Sequence, residues 1–143
     1  MAPRQRIPPA VRRRVAEWDG HRCAYCRSPQ IVGIPMVVDH VVPLSAGGTS
    51  DPENLCLSCY RCNEFKGPRQ RAADPHDGQP IALFHPRRQQ WADHFAWAGD
   101  RVTIVGLTAV GRATIAALHL NNQWLVQARR LWIAIGLQPP LEW

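Results

Sequence analysis

Two Cys-x-x-Cys pairs constrain this chain more than any other feature. Cys23 and Cys26 form the first pair, and Cys59 and Cys62 form the second. Each pair can bind a metal ion from a tight turn, and four thiolates complete the tetrahedral shell that Zn²⁺ prefers. A zinc ion with four sulfur ligands has no open position for substrate, so we expect it to be structural. A pair of redox-active cysteine turns is the alternative, but the thioredoxin-like context is missing.

The residues between and beside these cysteines supply the parts of a hydrolytic site. They are Asp39, His40, Asn54 and Asn63. Cleavage of a phosphodiester needs a base that deprotonates water near neutral pH, and histidine is the natural choice. It also needs a cation at the phosphate, and a hard ion such as Mg²⁺ prefers carboxylate and amide oxygens. Because four thiolates would fill the coordination shell of the zinc, the catalytic metal must be a second ion.

The charge of the chain fits a nucleic-acid partner. Among 143 residues, 17 are basic and 11 acidic, which gives a formal net charge of +6, and every basic residue except Lys66 is an arginine. The guanidinium group can bind a phosphate through two hydrogen bonds. We expect nucleic-acid contacts from Arg12, Arg13, Arg61 and Lys66. A solvated basic turn is the alternative for the helix arginines, and attraction to the helix dipole for Lys66.

The sequence predicts a cytoplasmic protein without a membrane partner. The charged N-terminus lacks the apolar run of a secretory signal, and the apolar stretches 31–38 and 131–137 are too short to span a bilayer. A reducing cytosol keeps cysteines available for metal binding. The fifth cysteine, Cys56, is expected to be a buried small hydrophobe. The oligomeric state stays open.

Local patterns predict the elements around the cysteines. We expect a helix over 8–18, a strand over 36–42 and a helix over 53–65, with a short strand near 54–57 as the alternative to the start of that helix. Two turn signals in the polar segment 69–80 indicate a boundary, so we predict a core over 1–72 and an extension over 73–143.

The extension is predicted to be mainly helical. A short strand or extended segment should cover 81–84, and the helix after it should bring Trp91 and Phe95 onto one face. A second strand should cover 102–107, and two helices should cover 110–120 and 123–135. The last helix carries one apolar stripe, which we expect to pack onto the rest of the protein, with a docking surface for a partner or second copy as the alternative. The stripe comprises Trp124, Ala128, Leu131 and Ile135, with Leu125 and Trp132 beside it.

Together these motifs resemble the HNH endonuclease family. The resemblance covers roughly residues 20–68. Its elements are Cys23-x-x-Cys26, Asp39-His40-x-x-Pro43-Leu44-x-x-Gly47-Gly48, Asn54-Leu55 and Cys59-x-x-Cys62-Asn63-x-x-Lys66-Gly67. It implies an α+β fold class, with a small ββα-metal core stapled by the four-cysteine zinc. Asn63 stands where the family name suggests histidine, which is a common variant.

The resemblance also implies the roles of the site residues. His40 would activate the attacking water, Asp39 and Asn63 would bind the catalytic Mg²⁺ or Mn²⁺, and Asn54 would pin the hairpin loop. The implied reaction is hydrolysis of a phosphodiester by in-line attack of water, with 5′-phosphate and 3′-hydroxyl ends and double-stranded DNA as the default substrate. The alternative is a zinc-stabilised nucleic-acid-binding module without catalysis.

Overall fold

The computed structural model describes residues 6–31 and 36–140, and the α+β fold class is confirmed. Residues 32–35 of the first apolar stretch, the first five residues and the last three lie outside the described part. In chain order the elements are α1 (Pro9–Trp18), β1 (Met36–His40), β2 (Leu55–Cys59), α2 (Tyr60–Lys66), β3 (Arg71–Ala73), β4 (Pro80–Ala82), α3 (Trp91–His94), β5 (Phe95–Trp97), β6 (Ile104–Gly106), α4 (Ala109–Leu118) and α5 (Gln123–Ala134).

The centre of the fold is an antiparallel hairpin of β1 and β2, followed directly by α2. Asp39 pairs with Cys56 and His40 with Leu55 in its register. The helix predicted from residue 53 is wrong in its first half, and the alternative strand is observed instead. All five residues of β2 are buried, which suits a strand better than an amphipathic helix. The helix begins only at Tyr60, where the Cys59 sulfur accepts a hydrogen bond from the Cys62 amide.

Helix α1 begins and ends as the sequence predicts, and it is anchored to β2. Pro9 occupies its first turn, and Val15 is buried against Ile7 and Leu55 in a small apolar cluster. Asp19, directly after the helix, is 4% exposed and accepts a 2.7 Å hydrogen bond from the Leu57 amide. The carboxylate therefore fixes the end of the helix to the hairpin.

The extension contains more strand than predicted. Strands β3 and β4 form one hairpin, and β5 pairs with β6 in another. The helix expected to hold Trp91 and Phe95 together is a single turn, because Phe95 already begins β5 and pairs with Gly106. The two rings nevertheless stack, with their centroids 5.1 Å apart. Tertiary packing brings them together where helical spacing was expected to do so.

Helices α4 and α5 are confirmed within about two residues, but the predicted orientation of α5 is wrong. Trp124, Leu131 and Ile135 are 60%, 72% and 67% exposed. The face turned inward carries Arg129, which is fully buried, and Trp132, which the pattern placed beside the stripe. The apolar stripe therefore faces solvent, because the guanidinium group of Arg129 finds carbonyl partners inside that the stripe could not satisfy.

One apolar cluster joins the residues on both sides of the predicted boundary at 72. It contains the four metal-site cysteines and Tyr25 from the core, together with Phe84, Phe95, Leu118 and other extension residues. Two long-range hydrogen bonds reinforce the contact: the Trp91 indole donates to the Tyr25 carbonyl, and Arg22 donates to the Leu137 carbonyl. The division of the chain at residue 72 stays a prediction.

Within the described ranges, no helix has both the length and the apolar character needed to cross a bilayer.

Candidate active site and metal centre

The four cysteines of the two pairs meet at one buried point. Their sulfur atoms all lie within 4.8 Å of one another, and the Cys26 and Cys59 sulfurs are 3.7 Å apart. Two ligands of a tetrahedral Zn²⁺, each about 2.3 Å from the ion, would be separated by about 3.8 Å. The donor set and its spacing therefore fit a tetrahedral metal ion. Hydrogen bonds from the other sulfurs, Cys23 first, lower the pKa of the Cys26 thiol well below its usual value.

Two buried arginines lie beside this sulfur cluster. Arg129 is fully buried, and it donates to the carbonyls of Val102 and Leu120 at 2.8 Å and of Cys26 at 3.4 Å. Among the described residues, no carboxylate forms an ion pair with it. Burial lowers its pKa, and the charges of the four cysteines oppose that shift. Burial also lowers the pKa of the second arginine, Arg27, to about 10, and the charge of Cys23 acts in the opposite direction.

The charges of the cluster and of these arginines have opposite signs. Four thiolates and one Zn²⁺ would sum to a charge of −2, which the nearby guanidinium groups would partly offset. A buried cation without an anionic partner costs several kcal/mol, so the position of Arg129 is readily explained by an anionic metal centre. Because Arg129 lies on α5, the extension supplies part of the surroundings of this centre.

A cleft of about 380 Å³ brings together three of the predicted catalytic residues. Asp39 and His40 come from the end of β1, and Asn63 comes from the middle of α2. The side chains of successive strand residues point to opposite faces, so two neighbouring residues can serve one site only at a distortion or at the end of a strand. The strand does end at His40. Arg12 from α1 lines the same cleft.

The carboxylate of Asp39 is held on one side only. Its Oδ2 atom accepts a 2.9 Å hydrogen bond from the Tyr25 hydroxyl and lies 3.1 Å from the Lys66 ammonium. Within the described residues, no donor bonds to Oδ1. Burial raises the pKa of Asp39, and the charge of Lys66 acts in the opposite direction. One carboxylate oxygen is therefore fixed by protein, and the other is available to a ligand.

The imidazole of His40 also has one occupied and one available atom. Its Nε2 lies 3.0 Å from the Ser50 hydroxyl. Nδ1 has no hydrogen-bond partner among the residues that the structure describes. Burial lowers the pKa of His40. A neutral ring that donates from Nε2 to Ser50 carries its lone pair on Nδ1, as a general base requires.

Asn54 fastens the loop that follows His40. Its Oδ1 accepts from the Val42 amide at 2.9 Å, and its Nδ2 donates to the Val42 and Thr49 carbonyls at 2.9 and 2.8 Å. Gly48 belongs to the same packing, because a Cβ there would lie 1.8 Å from the Val42 carbonyl oxygen. Asn54 does not line the cleft, so its contribution is to hold the loop that carries Ser50.

The four predicted nucleic-acid contacts lie in different environments. Arg12 and Arg13 are exposed on α1, and only Arg12 lines the cleft. Arg61 is exposed on α2 and donates to Asn122 at 3.2 Å. Lys66 is 1% exposed, and its ammonium faces Asp39 and the His40 carbonyl.

Sequence reasoning missed Tyr25, Ser50 as a partner of His40, and the two buried arginines. Tyr25 lies inside the first Cys-x-x-Cys pair, where no periodicity or spacing gives it a role. Arg27 and Arg129 read as ordinary surface cations, which is the usual place for this residue type. Cys56 is fully buried, as predicted, and its sulfur lies 3.6 Å from the Tyr25 hydroxyl.

Comparison with known proteins agrees with this geometry. Residues 23–69 match the family model described as HNH endonuclease. The resemblance predicted from the motifs is therefore confirmed for this segment, which is about a third of the chain. The match contains the four cysteines, Asp39, His40, Asn54, Asn63 and Lys66.

A curated relative shows the same segment. The chain is 47% identical over 47 residues to the CRISPR-associated endonuclease Cas9 of Corynebacterium diphtheriae. The aligned part is 32% of this chain and 4% of that protein. No solved structure matches the chain. The likeness therefore concerns the segment that matches the HNH endonuclease model.

Proposed function

We propose that this protein is a divalent-metal-dependent endonuclease that hydrolyses phosphodiester bonds in nucleic acid. The observation that carries the proposal is that Asp39, His40 and Asn63 line one cleft inside the segment that matches the HNH endonuclease family. A carboxylate oxygen, an imidazole nitrogen and an amide of this cleft are free of protein partners within the described residues. A phosphate and a water molecule could reach all three.

The proposed catalytic metal is Mg²⁺ or Mn²⁺, held by the Oδ1 atom of Asp39 and the side-chain oxygen of Asn63. These are hard oxygen donors, and only two protein ligands leave positions for water and phosphate. When bound, the ion would stabilise the charge that develops on the phosphate and the leaving oxygen. His40 would accept the proton of the attacking water at Nδ1, while Ser50 holds the opposite nitrogen.

We propose a different role for Lys66 from the substrate contact expected from sequence. A side chain that is 1% exposed has little access to a phosphate, whereas its ammonium lies 3.1 Å from the Asp39 carboxylate. Lys66 would keep Asp39 ionised and oriented through the Oδ2 atom. Arg13 and Arg61, which are exposed, remain candidates for contacts with the phosphates that flank the cleft.

The metal of the four-cysteine site is proposed to be zinc, and the substrate to be double-stranded DNA. Zinc is the usual ion for four buried thiolates. The proposed location is the cytoplasm, because reduced thiols persist there. DNA is the choice that family resemblance favours, and the arginine-rich composition is consistent with any polyphosphate backbone.

Cleavage of supercoiled plasmid tests the proposed function. We expect the zinc-loaded protein to nick or linearise plasmid in Mg²⁺ or Mn²⁺, and to be inactive when these ions are omitted. The Asn63→Ala variant should fold normally, because no hydrogen bond of that side chain holds the described structure together, and should lose most of its cleavage. If the folded wild-type protein cleaves neither DNA nor RNA with any divalent ion but binds nucleic acid, the binding module without catalysis is the better description.

Arg12 gives a second prediction, on substrate affinity. The Arg12→Ala variant should bind DNA about three- to tenfold more weakly, with a smaller salt dependence, because one phosphate contact at the cleft is lost. Fluorescence anisotropy with a labelled duplex in Ca²⁺ measures this. Arg14→Ala is the matched control: it removes the same charge from an exposed position of the same helix that does not line the cleft. Equal affinities of the two variants would contradict the proposed path of the substrate.

A further inference from the structure

The observations around the first cysteine pair connect the metal centre to the cleft. We propose that Tyr25 is a positioning residue that orients the Asp39 carboxylate for the catalytic metal ion, and that the four-cysteine site fixes Tyr25 in place. The inference rests on the proposed function, because it concerns the same divalent ion. It assigns a function to a residue that neither the motifs nor the family resemblance had singled out.

The contact itself is specific. Tyr25 is fully buried, and its hydroxyl donates to Oδ2 of Asp39 at 2.9 Å. A phenol is protonated at neutral pH, so the hydroxyl donates and the carboxylate oxygen accepts. Lys66 approaches the same oxygen at 3.1 Å. Two donors on Oδ2 set the rotation of the carboxylate and leave Oδ1 for the cleft.

The backbone of Tyr25 is fixed from several sides. Its chain neighbours are two ligands of the proposed zinc, Cys26 directly and Cys23 two residues earlier. The adjacent Ala24 amide bonds the Leu57 carbonyl of β2 at 2.8 Å. The Tyr25 carbonyl accepts from the Trp91 indole at 3.0 Å. These contacts hold the backbone of Tyr25, so its hydroxyl stays in a fixed position and sets the orientation of the Asp39 carboxylate.

The hydrogen-bond partner of a metal-binding carboxylate affects metal affinity by a typical amount. Loss of such a partner typically lowers metal affinity or activity by about 10- to 100-fold, because the ligand then samples orientations that do not bind the ion. Since Lys66 still holds Oδ2 when the phenol is removed, we expect the lower end of this range. The affinity for the catalytic divalent ion should fall, and the zinc content should not change.

The test compares Mn²⁺ binding to the wild-type and Tyr25→Phe proteins, both loaded with zinc and free of nucleic acid. Electron paramagnetic resonance of free Mn²⁺ measures the dissociation constant without any turnover. We expect about tenfold weaker binding in Tyr25→Phe, an unchanged zinc content of one ion per chain, and a cleavage defect that higher Mn²⁺ largely restores. The ring itself remains, so the packing of the core is preserved.

Cys56→Ala is the matched control. The Cys56 sulfur lies 3.6 Å from the same hydroxyl but forms no hydrogen bond with the Asp39 carboxylate within the described residues, and alanine keeps the backbone pairing of this position with Asp39. Its Mn²⁺ affinity should equal that of the wild type. If Tyr25→Phe binds Mn²⁺ as tightly as the wild type, or if Cys56→Ala is weakened equally, the positioning role is wrong. If the wild type itself binds no Mn²⁺ in the cleft, the proposed function fails first, and the two failures are distinguishable.

Discussion

Replacing Cys62 by serine is expected to remove the zinc and most of the folded stability of this protein. Structural zinc contributes an apparent free energy of about 10–16 kcal/mol in small zinc-binding peptides at neutral pH. Here the ion would join β2, α2 and the first cysteine pair at the centre of the largest apolar cluster. Loss of even about 5 kcal/mol would lower the thermal midpoint by roughly 15 °C or more in a domain of this size.

The charge balance makes the effect larger. Without zinc the four sulfurs would separate, and the buried guanidinium group of Arg129 would lose the anionic centre beside it. We therefore expect α5 to loosen together with the metal site, so the damage should spread into the extension. Zinc content by atomic emission and the midpoint by circular dichroism measure both parts of the effect.

Cys56→Ala is the control for this prediction as well, because Cys56 is equally buried but lies outside the sulfur cluster. It should keep one zinc per chain and lose only the stability of a small cavity, about 1 kcal/mol. A Cys62→Ser protein with one zinc per chain and the wild-type midpoint would show that the cluster is not a structural metal centre.

The second large effect is expected at His40. The His40→Ala variant should cleave about 10²- to 10⁴-fold more slowly than the wild type in a single turnover, since this is the usual contribution of a positioned general base. That range corresponds to about 3–5 kcal/mol in the activation free energy. The histidine is half-buried at the end of β1 and bonded to one side chain, so the fold should tolerate its loss.

Binding and cleavage separate the chemical role of His40 from a structural one. The His40→Ala protein should bind DNA and Mn²⁺ with wild-type affinity, while only the cleavage rate falls. His76→Ala, which changes an exposed histidine in the turn between β3 and β4, should leave the rate unchanged. Wild-type cleavage by the His40→Ala protein would exclude this residue as the base and would remove the main support for the proposed mechanism.

The proposed zinc site and the cleft with Asp39, His40 and Asn63 share their supporting elements. Helix α2 carries Cys62 next to Asn63, and the first cysteine pair carries Tyr25 behind Asp39. A disturbance of the metal centre therefore reaches both proposed ligands of the catalytic ion. This arrangement explains why a small hairpin and a helix of seven residues could hold a precise site. The extension contributes to the surroundings of the cysteines through the buried Arg129.

The sequence by itself determined the local chemistry of the core. The spacing of the cysteines predicted a four-sulfur cluster, and the cluster is observed. The motif around Asp39 and His40, with Asn54 and Asn63, predicted a hairpin and a helix of the HNH type, and the hairpin and helix are observed. These features follow from short-range spacing, because a tight turn presents two ligands and a capped helix end presents the last motif residue.

Tertiary structure alone decided the contacts between distant segments. The helical pattern of α5 predicted which residues share a face, but the burial of Arg129 decided that the apolar stripe faces outward. For Lys66 the sequence left a nucleic-acid contact and attraction to the helix dipole open, and only the tertiary structure brings its ammonium beside Asp39. For Tyr25 the sequence carries no signal, and its contact with Asp39 also depends on tertiary packing. The physical reason is that a periodic pattern fixes relative orientation within one element, whereas charge pairing and burial depend on which other elements pack against it.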